Sequence, residues 1–379
     1  MKFVHLSDLH IGKRVNGYSM LEDQADILQK ILEVIRAEQP DAVLIAGDVY
    51  DKSVPSTEAV ELFDEFLVAL SKLSLQVFVI SGNHDSAERL AFGNRLIAQS
   101  GIHLSSAYKG TVESVVLEDE YGQVEVFLLP FVKPAHVRPF FEEEITSYTQ
   151  AVRTALSGVQ LDPTRRNVLV THQFVTGAAR CESEELSVGG TDNVDADVFA
   201  GFDYVALGHI HSPQHCGSPQ IRYCGTPLKY SFSEAKDEKS VTIVELQGLS
   251  QPPIIRTVPL QPLRDMCEIK GTYLQLMERS FYQNTRYQED YMRITLTDEQ
   301  DVPDAMAKLR TVYHNLMKLD YDNTRTRTVT EVAAASEVES KTPLELFEEF
   351  YQQQNGQPMN EQQQEFMRRL IETVWEDEL

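Results

Sequence analysis

Short apolar runs of strand length recur through residues 1–230, and five of the six are followed almost at once by an acidic, asparagine or histidine side chain. The runs do not alternate with polar residues, which is typical of strands buried on both faces between layers. Residues 21–38 and 57–73 carry apolar side chains three or four positions apart, which predicts helices. Strands alternating with helices indicate a layered α/β fold. The strand candidates are Phe3–Leu6, Ala42–Ala46, Val77–Ile80, Val124–Leu129, Val168–Val170 and Tyr204–Leu207.

The polar side chains after these runs form a candidate metal site. In layered α/β folds, residues just past the carboxyl ends of strands converge on one crevice. Asp-x-His and His-x-His spacing suits a loop leaving a strand, where alternate residues point the same way and can reach one ion. The five motifs are Asp8-Leu9-His10, Gly47-Asp48, Gly82-Asn83-His84-Asp85, Thr171-His172 and Gly208-His209-Ile210-His211.

Seven side chains are predicted metal ligands, more than one tetrahedral zinc needs but enough for two sites if a carboxylate bridges them. Asp48 is the best candidate for that bridge. Oxygen and imidazole donors without thiolate fit Mn, Fe or Zn, and no cysteine lies near a motif in the sequence, which argues against a structural zinc. The predicted ligands are Asp8, His10, Asp48, Asn83, His172, His209 and His211.

A paired metal site suits phosphoester hydrolysis, because two ions can activate a water and neutralise charge on phosphorus. His84 is then the predicted catalytic residue: beside the metals, its imidazole could hydrogen-bond the phosphate or protonate the leaving oxygen. Asp85 is a candidate to orient His84. The remaining histidines are interpreted as structural or solvent-facing; they are His5, His103, His136, His215 and His314.

Charge and composition narrow the class of protein. With 58 acidic and 34 basic side chains, the formal net charge is −24, which argues against a freestanding, sequence-independent DNA-binding protein. Four sparse cysteines without a CxxC pair predict free thiols in a reducing compartment. The N-terminus has too short an apolar stretch for a signal peptide, and no segment is long enough to span a membrane, so we expect a cytoplasmic protein. Candidate DNA contacts near the motifs are Lys13, Arg14, Lys229 and Lys236.

The chain divides at a proline cluster, since prolines 252, 253, 259 and 262 break regular structure. We expect a domain over 1–262 and a small α+β domain over 263–321, with a strand at Tyr291–Leu296 and a helix from Asp301 through Leu316. Residues 322–341 have hardly any large apolar side chain and are predicted to be a linker. A helical tail over 342–379 carries two apolar stripes, Leu344/Phe347/Tyr351 and Met367/Leu370/Ile371/Val374.

The ordered motifs resemble those of the calcineurin-like metallophosphoesterase family over about the first 230 residues. The resemblance implies a layered β-sandwich flanked by helices. It also implies that Asp8, His10 and His211 hold one metal, that Asn83, His172 and His209 hold the other, and that Asp48 bridges them. One departure is Tyr50-Asp51, where archaeal and eukaryotic relatives carry a histidine, so that histidine's contribution is not transferred.

Nearly the whole chain is similar to one bacterial branch of this family. The stretches that carry this similarity are Leu6–Gly12, Asp203–His211 and Gly225–Leu228 with Ser231–Glu234. The similarity implies a nuclease that depends on two manganese ions and acts on DNA ends and hairpins. It also implies a homodimer within a heterotetramer that contains a coiled-coil ATPase. Residues 263–321 would then be a DNA-capping domain and the tail would bind the ATPase.

Two other interpretations remain open. A phosphomonoesterase or cyclic-nucleotide phosphodiesterase could use the same scaffold, since metal motifs alone do not choose a substrate. A non-catalytic scaffold protein could use the fold only to recruit a partner. The extra domain and tail favour the nuclease, and the complete ligand set argues against the scaffold.

Overall fold

The computed structural model describes residues 1–105, 107–184, 192–249, 251–324, 344, 347–348, 350–352 and 358–377. These residues separate into two compact units. The first unit runs to Leu263, and the second comprises Asp192 and the described residues from Arg264 onward. None of the helices in the described ranges is both long and apolar enough to cross a bilayer.

The first unit contains sixteen strands and six α-helices in the described ranges. The strands are β1 Lys2–Leu6, β2 Arg14–Val15, β3 Tyr18–Ser19, β4 Ala42–Ala46, β5 Gln76–Ile80, β6 Ile102–Leu104, β7 Glu113–Asp119, β8 Gly122–Leu129, β9 Arg166–His172, β10 Phe174–Val175, β11 Asn193–Val194, β12 Tyr204–Gly208, β13 Gln214–Cys216, β14 Ser218–Tyr223, β15 Ser240–Glu245 and β16 Ile254–Pro259. The helices are α1 Leu21–Glu38, α2 Thr57–Ser71, α3 Ala87–Leu90, α4 Asn94–Ile97, α5 Pro134–Val137 and α6 Tyr148–Leu156. All six predicted strands and both predicted helices are present.

Two six-stranded sheets form the core of this unit. The first has the order β16-β15-β1-β4-β5-β6, and the second has the order β13-β14-β12-β9-β8-β7. Four adjacent strands of each sheet are parallel: β1, β4, β5 and β6 in one, and β14, β12, β9 and β8 in the other. Antiparallel strands complete both sheets, and the apolar patterns did not reveal several of them, including β7 and β16.

The sheets pack face to face, because side chains from both contribute to one buried cluster. Phe3, Leu44 and Phe78 of the first sheet pack in this cluster with Val168 and Tyr204 of the second. A separate cluster joins the other face of the second sheet to α6. The predicted layered α/β sandwich with flanking helices is confirmed.

The second unit has its own core around a parallel sheet, β17 Met266–Gly271, β18 Tyr291–Leu296 and β19 Asn315–Tyr321. Helices α7 Tyr273–Met277, α8 Arg279–Tyr282 and α9 Ala305–Leu309 accompany it. The predicted helix through Leu316 is wrong beyond Leu309. Leu316 pairs with Met292 in the sheet instead, so tertiary pairing overrides the local pattern.

The tail is partly described. Helix α10 spans Glu361–Asp377, and the helical residues around Tyr351 precede it. The Gln363 amide donates to the Tyr351 hydroxyl at 3.0 Å, so the two helical segments touch. Phe350 and Phe366 are more than half exposed. Residues 325–341, most of the predicted linker, lie outside the described ranges. Its first residues are tied to the second unit through the Asn323 side chain, which donates to the Asp298 carbonyl.

Candidate metal centre

The Asp48 carboxylate lies at the centre of the predicted site. Its Oδ2 is 3.4 Å from His172 Nε2, 3.7 Å from His10 Nε2 and 3.9 Å from His84 Nε2. Asp48 follows β4 of the first sheet, whereas His172 ends β9 of the second. The carboxyl ends of the two parallel sets of strands therefore meet at one end of the sandwich, as the motif positions predicted.

Two groups of donors flank Asp48. On one side, Asp8, His10 and His211 have ligand atoms within 4.8 Å of one another, with 3.2 Å between the Nε2 atoms of His10 and His211. On the other side, Asn83 Oδ1 lies 3.0 Å from both His172 Nε2 and His209 Nδ1. The structure thus brings all seven predicted ligand residues together.

His84 also reaches this cluster. Its backbone N–H donates to Asp48 Oδ1 at 3.0 Å, and its ring nitrogens face the Asp51 carbonyl and the Asp48 carboxylate. A donor atom of His84 lies within 4.8 Å of donor atoms of His10 and Asp48. The structure therefore places His84 at the edge of the site, facing Asp48.

Asp85 has a different role from the predicted one. Its carboxylate accepts hydrogen bonds from the backbone N–H groups of Gly82, Val49 and Tyr50, at 2.9 to 3.1 Å. It therefore joins the loop after β5 to the loop after β4. The group on Nδ1 of His84 is the Asp51 carbonyl, at 3.1 Å.

The backbone of the site is strained. Asp8, His10, Asp48 and His209 have positive φ values of 53°, 44°, 49° and 105°, a region that side-chain-bearing residues rarely adopt. Such conformations cost about 1–3 kcal/mol each and persist only where the surroundings enforce them. The first three therefore turn their loops sharply at the strand ends and bring alternate side chains onto one centre.

Glycines permit close approach at the site, both between the two sheets and between neighbouring loops of the first sheet. A Cβ at Gly208 would lie 1.8 Å from the Ala46 carbonyl oxygen and 2.6 Å from His172 Nδ1. A Cβ at Gly82 would lie 2.0 Å from Asp48 Oδ1. The glycines of the Gly-Asn-His-Asp and Gly-His-x-His motifs are thus required by space.

Burial and mutual charge set the protonation of the cluster. Burial raises the pKa of Asp8 to about 6. Burial also acts to lower the pKa of His172, but the Asp48 and Asp8 carboxylates and the Ala46 carbonyl together outweigh it and raise that pKa to about 9. Burial holds the pKa values of His10 and His209 well below the usual range. Neutral imidazoles beside carboxylates are a donor set that binds divalent metals.

Two buried ring nitrogens support the fit to metal ions. His10 Nδ1 and His209 Nε2 have no hydrogen-bond partner among the described residues, although buried polar atoms are normally paired. Four imidazoles, two carboxylates and an amide oxygen converge here. These residues fit a two-ion centre, with Asp48 between the two groups.

A polar network behind His211 has no counterpart among the sequence predictions. Ser183 Oγ lies 2.7 Å from His211 Nδ1 and donates to Glu234 Oε1 at 2.6 Å. Lys239 Nζ donates to Glu234 Oε2 at 2.6 Å, and Glu234 is fully buried. These residues carry no local spacing that would reveal them.

The cysteines are closer to the site than the sequence indicated. Donor atoms of Cys181, His211 and Glu234 lie within 4.8 Å of one another, and Cys224 Sγ is 3.1 Å from the hydroxyl of Ser7. Cys181 and Cys224, which are distant from the metal-ligand motifs in the sequence, are therefore near them in space. Burial raises the pKa of both thiols to about 12, so both are protonated at neutral pH.

The basic side chains near the site agree only in part with the candidate DNA contacts from the sequence. Lys13 is paired with Asp51 at 2.7 Å, and Lys229 donates to the Ala235 carbonyl at 2.7 Å, so both have protein partners. Arg14 and Lys236 are exposed. Arg180, which was not predicted, stacks 3.4 Å from the Phe174 ring centroid, and Phe174 lies beside His209.

Comparison with known proteins identifies the family. The family model described as calcineurin-like phosphoesterase matches residues 1–213, and a model described as type 5 capsule protein repressor C-terminal domain matches residues 262–355. A crystal structure of a dimetal phosphatase from Danio rerio covers 69% of the chain and 98% of its own length, at a TM-score of 0.40 and 14% identity. The calcineurin-like phosphoesterase model matches more than half of the length of this chain, so the chain belongs to that family.

Two relatives define the branch of that family. The chain is 35% identical to the SbcD subunit of the SbcCD nuclease from Staphylococcus saprophyticus over 324 residues, which cover 84% of each protein. It is 31% identical to the protein of the same name from Staphylococcus epidermidis over 386 aligned positions, which cover both proteins fully. The chain therefore belongs with the SbcD proteins.

Proposed function

We propose that this chain is a DNA nuclease that uses two divalent metal ions, and that these ions are manganese. The convergence of seven donors from both sheets on Asp48 carries the proposal, together with similarity to SbcD proteins along the whole chain. Asp8, His10 and His211 would hold one ion, and Asn83, His172 and His209 the other, with Asp48 bridging. When bound, the two ions supply the Lewis acidity and charge neutralisation that phosphodiester hydrolysis requires.

His84 is the residue proposed to move a proton. The Asp51 carbonyl accepts a hydrogen bond from Nδ1 at 3.1 Å, which fixes the ring. Because a carbonyl can only accept, Nδ1 carries a proton. Nε2 then faces the centre, 3.9 Å from Asp48 Oδ2. From there, a protonated His84 can hydrogen-bond the phosphate and donate to the leaving oxygen.

Arg180 is a candidate to position the substrate. Its guanidinium lies over the Phe174 ring, next to His209, and its positive charge helps to lower the pKa of His209 after the effects of burial and His172. An arginine held on an aromatic ring is well suited to a phosphate oxygen. It supplies one local cation in a chain with a net charge of −24.

The proposed substrates are DNA ends and hairpins, with 3′–5′ exonuclease activity on double strands and endonuclease activity on single-stranded or hairpin DNA. The proposed setting is DNA repair, recombination and replication in the cytoplasm, at the nucleoid. The partner is an SbcC-type coiled-coil ATPase, and a basic partner would supply the phosphate contacts that an acidic chain lacks. The 263–321 region would cap the DNA.

A homodimer within a heterotetramer is part of the proposal. Phe92 and Leu96 are 87% and 80% exposed in the segment that follows the His84 motif. Large apolar side chains exposed together are typical of an interaction surface. A second copy of the chain would cover them.

The test is an assay of the purified chain with Mn²⁺, with and without its ATPase partner. The substrates are end-labelled double-stranded DNA, labelled hairpin DNA and a generic phosphomonoester. We expect DNA cleavage that the partner and ATP increase. Hydrolysis of the phosphomonoester alone would favour the phosphatase interpretation, and inactivity of a metal-loaded complex on all three would favour the scaffold.

A further inference from the structure

The side of His211 that faces away from the proposed metals is held by a partly buried chain of hydrogen bonds. Ser183 Oγ lies 2.7 Å from His211 Nδ1 and 2.6 Å from Glu234 Oε1. Glu234 is fully buried and lies in the turn that follows the Gly225–Leu228 stretch. Ser183 belongs to no predicted motif, and Glu234 ends the Ser231–Glu234 stretch without a predicted role; the two residues are 51 positions apart.

Glu234 is built to be an ionised acceptor. Lys239 Nζ donates to Oε2 at 2.6 Å, the Thr226 hydroxyl to Oε2 at 3.3 Å, and the Tyr230 N–H to Oε1 at 3.3 Å. A carboxylate paired in this way donates no hydrogen bond, so the proton between Glu234 and Ser183 belongs to the Ser183 hydroxyl.

That single proton determines the direction of the next bond. Ser183 has one O–H, which it donates to Glu234, so toward His211 its oxygen can only accept. His211 Nδ1 must then carry the hydrogen. The lone pair of the neutral ring is left on Nε2, the atom that faces His10 Nε2 at 3.2 Å.

We propose that Ser183 and Glu234 are positioning residues that fix the tautomer and ring orientation of His211, so that its Nε2 is presented to the metal held with Asp8 and His10. The inference rests on the proposed two-metal function. Partners on the outer nitrogen of a ligating histidine matter, since their loss typically costs about 10–100-fold in metal affinity or activity.

The backbone around His211 is tied to the same network. Lys239 Nζ donates to the His211 carbonyl at 3.0 Å, and the His211 N–H donates to Glu184 Oε1 at 2.7 Å. Ser183 and Glu184 thus hold the ring and the backbone of one residue from a single turn. Removal of the Ser183 hydroxyl should loosen the ring while leaving the backbone contacts in place.

The chain offers a matched control in Ser233. Its hydroxyl accepts a hydrogen bond from the Glu182 N–H at 3.1 Å, so it links the same two turns, but its bonds go to Glu182 and Ser231. Ser233→Ala therefore removes a hydroxyl of the same size from the same junction. Ser183→Thr retains the hydroxyl and serves as the rescue variant.

The experiment is a Mn²⁺ titration of the full-length protein, followed by calorimetry and by the free-ion EPR signal. The wild type should bind two ions, which tests the proposed function by itself. Ser183→Ala should bind one of the two ions about 10–100-fold more weakly, whereas Ser183→Thr and Ser233→Ala should bind both as the wild type does. Two unchanged affinities in Ser183→Ala, or an equal loss in Ser233→Ala, would overturn the inference.

A second measurement needs neither metal nor activity. In metal-free protein labelled with ¹⁵N-histidine, two-bond nitrogen–proton correlations report which ring nitrogen is protonated. His211 should be the Nδ1–H form in the wild type and should lose that preference in Ser183→Ala and Glu234→Gln. An Nε2–H form in the wild type would contradict the inference even if both ions bind and DNA is cleaved.

Discussion

His84 donates through Nδ1 to the backbone carbonyl of Asp51, at 3.1 Å. The position that this chain fills with Tyr50-Asp51 thus contributes to the site through its main chain, whatever side chain it carries. The Asp51 carboxylate is meanwhile paired with Lys13 at 2.7 Å. Residue 51 therefore orients the proposed proton donor through an atom that every residue type possesses.

The first prediction separates proton chemistry from metal binding. Replacing His84 with Gln should leave metal content nearly intact while reducing cleavage by about 10²–10⁴-fold, the usual contribution of a general acid. Asp48→Ala should lose bound metal in addition to activity, because the residue proposed to bridge the two ions is removed. Metal analysis and cleavage rates of both variants provide the measurement, with the exposed His215→Gln as control. If the His84 variant lacked bound metal and the Asp48 variant retained it, the roles assigned to these two residues would be refuted.

The second prediction concerns the kind of ion. Excess chelator should abolish cleavage, and Mn²⁺ should restore it better than Ca²⁺. Calcium prefers an all-oxygen shell, whereas four of the seven proposed ligands are imidazoles. Rates after metal-by-metal addition to the chelated protein are the measurement. Undiminished activity in excess chelator would be incompatible with the two-metal mechanism.

The third prediction tests the contact between the sheets. Gly208→Ala places a Cβ 1.8 Å from the Ala46 carbonyl oxygen, so the two strand ends must separate. We expect lower metal content and destabilisation by at least about 1–3 kcal/mol, as for other overpacked interiors. Gly158→Ala is the control, since its Cβ would meet nothing within 4 Å. Equal denaturation midpoints for the two variants would contradict this prediction, because they would show that the two strand ends can separate without loss of stability.

The fourth prediction concerns a buried ion pair far from the motifs. Arg166 is 2% exposed and binds Asp119 and three backbone carbonyls, including that of Gln247 at 3.1 Å. Arg166→Met should destabilise the protein by about 1–3 kcal/mol, because it removes the donor to three backbone carbonyls, while Asp119 keeps the N-terminal ammonium of Met1 as a partner. Arg165→Met, at a half-buried neighbouring pair, should cost about 1 kcal/mol or less. Urea unfolding measures both.

The same pair predicts a pH dependence. Burial acts to raise the pKa of Asp119, but hydrogen bonds from Arg166, from the N-terminal ammonium of Met1 and from the Tyr121 N–H together outweigh it and lower the pKa from 3.8 to about 2. A lowered carboxyl pKa contributes stability that is fully present above the unfolded value and is lost as the pH falls through the folded value. The stability gap between wild type and Arg166→Met should therefore be constant above about pH 5 and narrow between about pH 4 and 2. A gap that widens on acidification would contradict this account.

The fifth prediction concerns the tail. Deleting residues 342–379 should leave a folded, metal-loaded enzyme that no longer co-purifies with its ATPase partner. Phe350, Phe366 and Leu370 are 57%, 64% and 42% exposed, and a coiled coil could cover such helical apolar faces. The alternative is that the tail stabilises the second unit. A truncated protein that keeps the partner but loses thermal stability would support that alternative.

The sequence revealed those parts of the fold and site that have a local signature. Strands such as Ala42–Ala46 are fully buried and therefore uninterrupted by polar residues. Each predicted ligand stands at a strand end, where topology alone brings it to the centre. His211 is recognisable in this way, through its place two residues after His209.

What the sequence could not reveal depends on contacts between distant segments. Ser183 and Glu234 have no periodicity to mark them, and Cys181 has no motif beside it in the chain. Leu316 fits a helical spacing as well as a strand, and its pairing with Met292 decides between them. Asp85 lies next to His84 in sequence, but its carboxylate faces the backbone of Val49 and Tyr50.

The large side chains between the two sheets have a role beyond stability. Asp8 and Asp48 extend from the first sheet, whereas His172 and His209 extend from the second. Side chains such as Phe78 and Tyr204 fill the space between the sheets. The separation of the sheets therefore sets the distance between donors from the first sheet and donors from the second. A slightly smaller or larger side chain in this interior would change the distances between the metal donors without contacting them. The size of these core residues is therefore constrained by the geometry of the metal site as well as by stability.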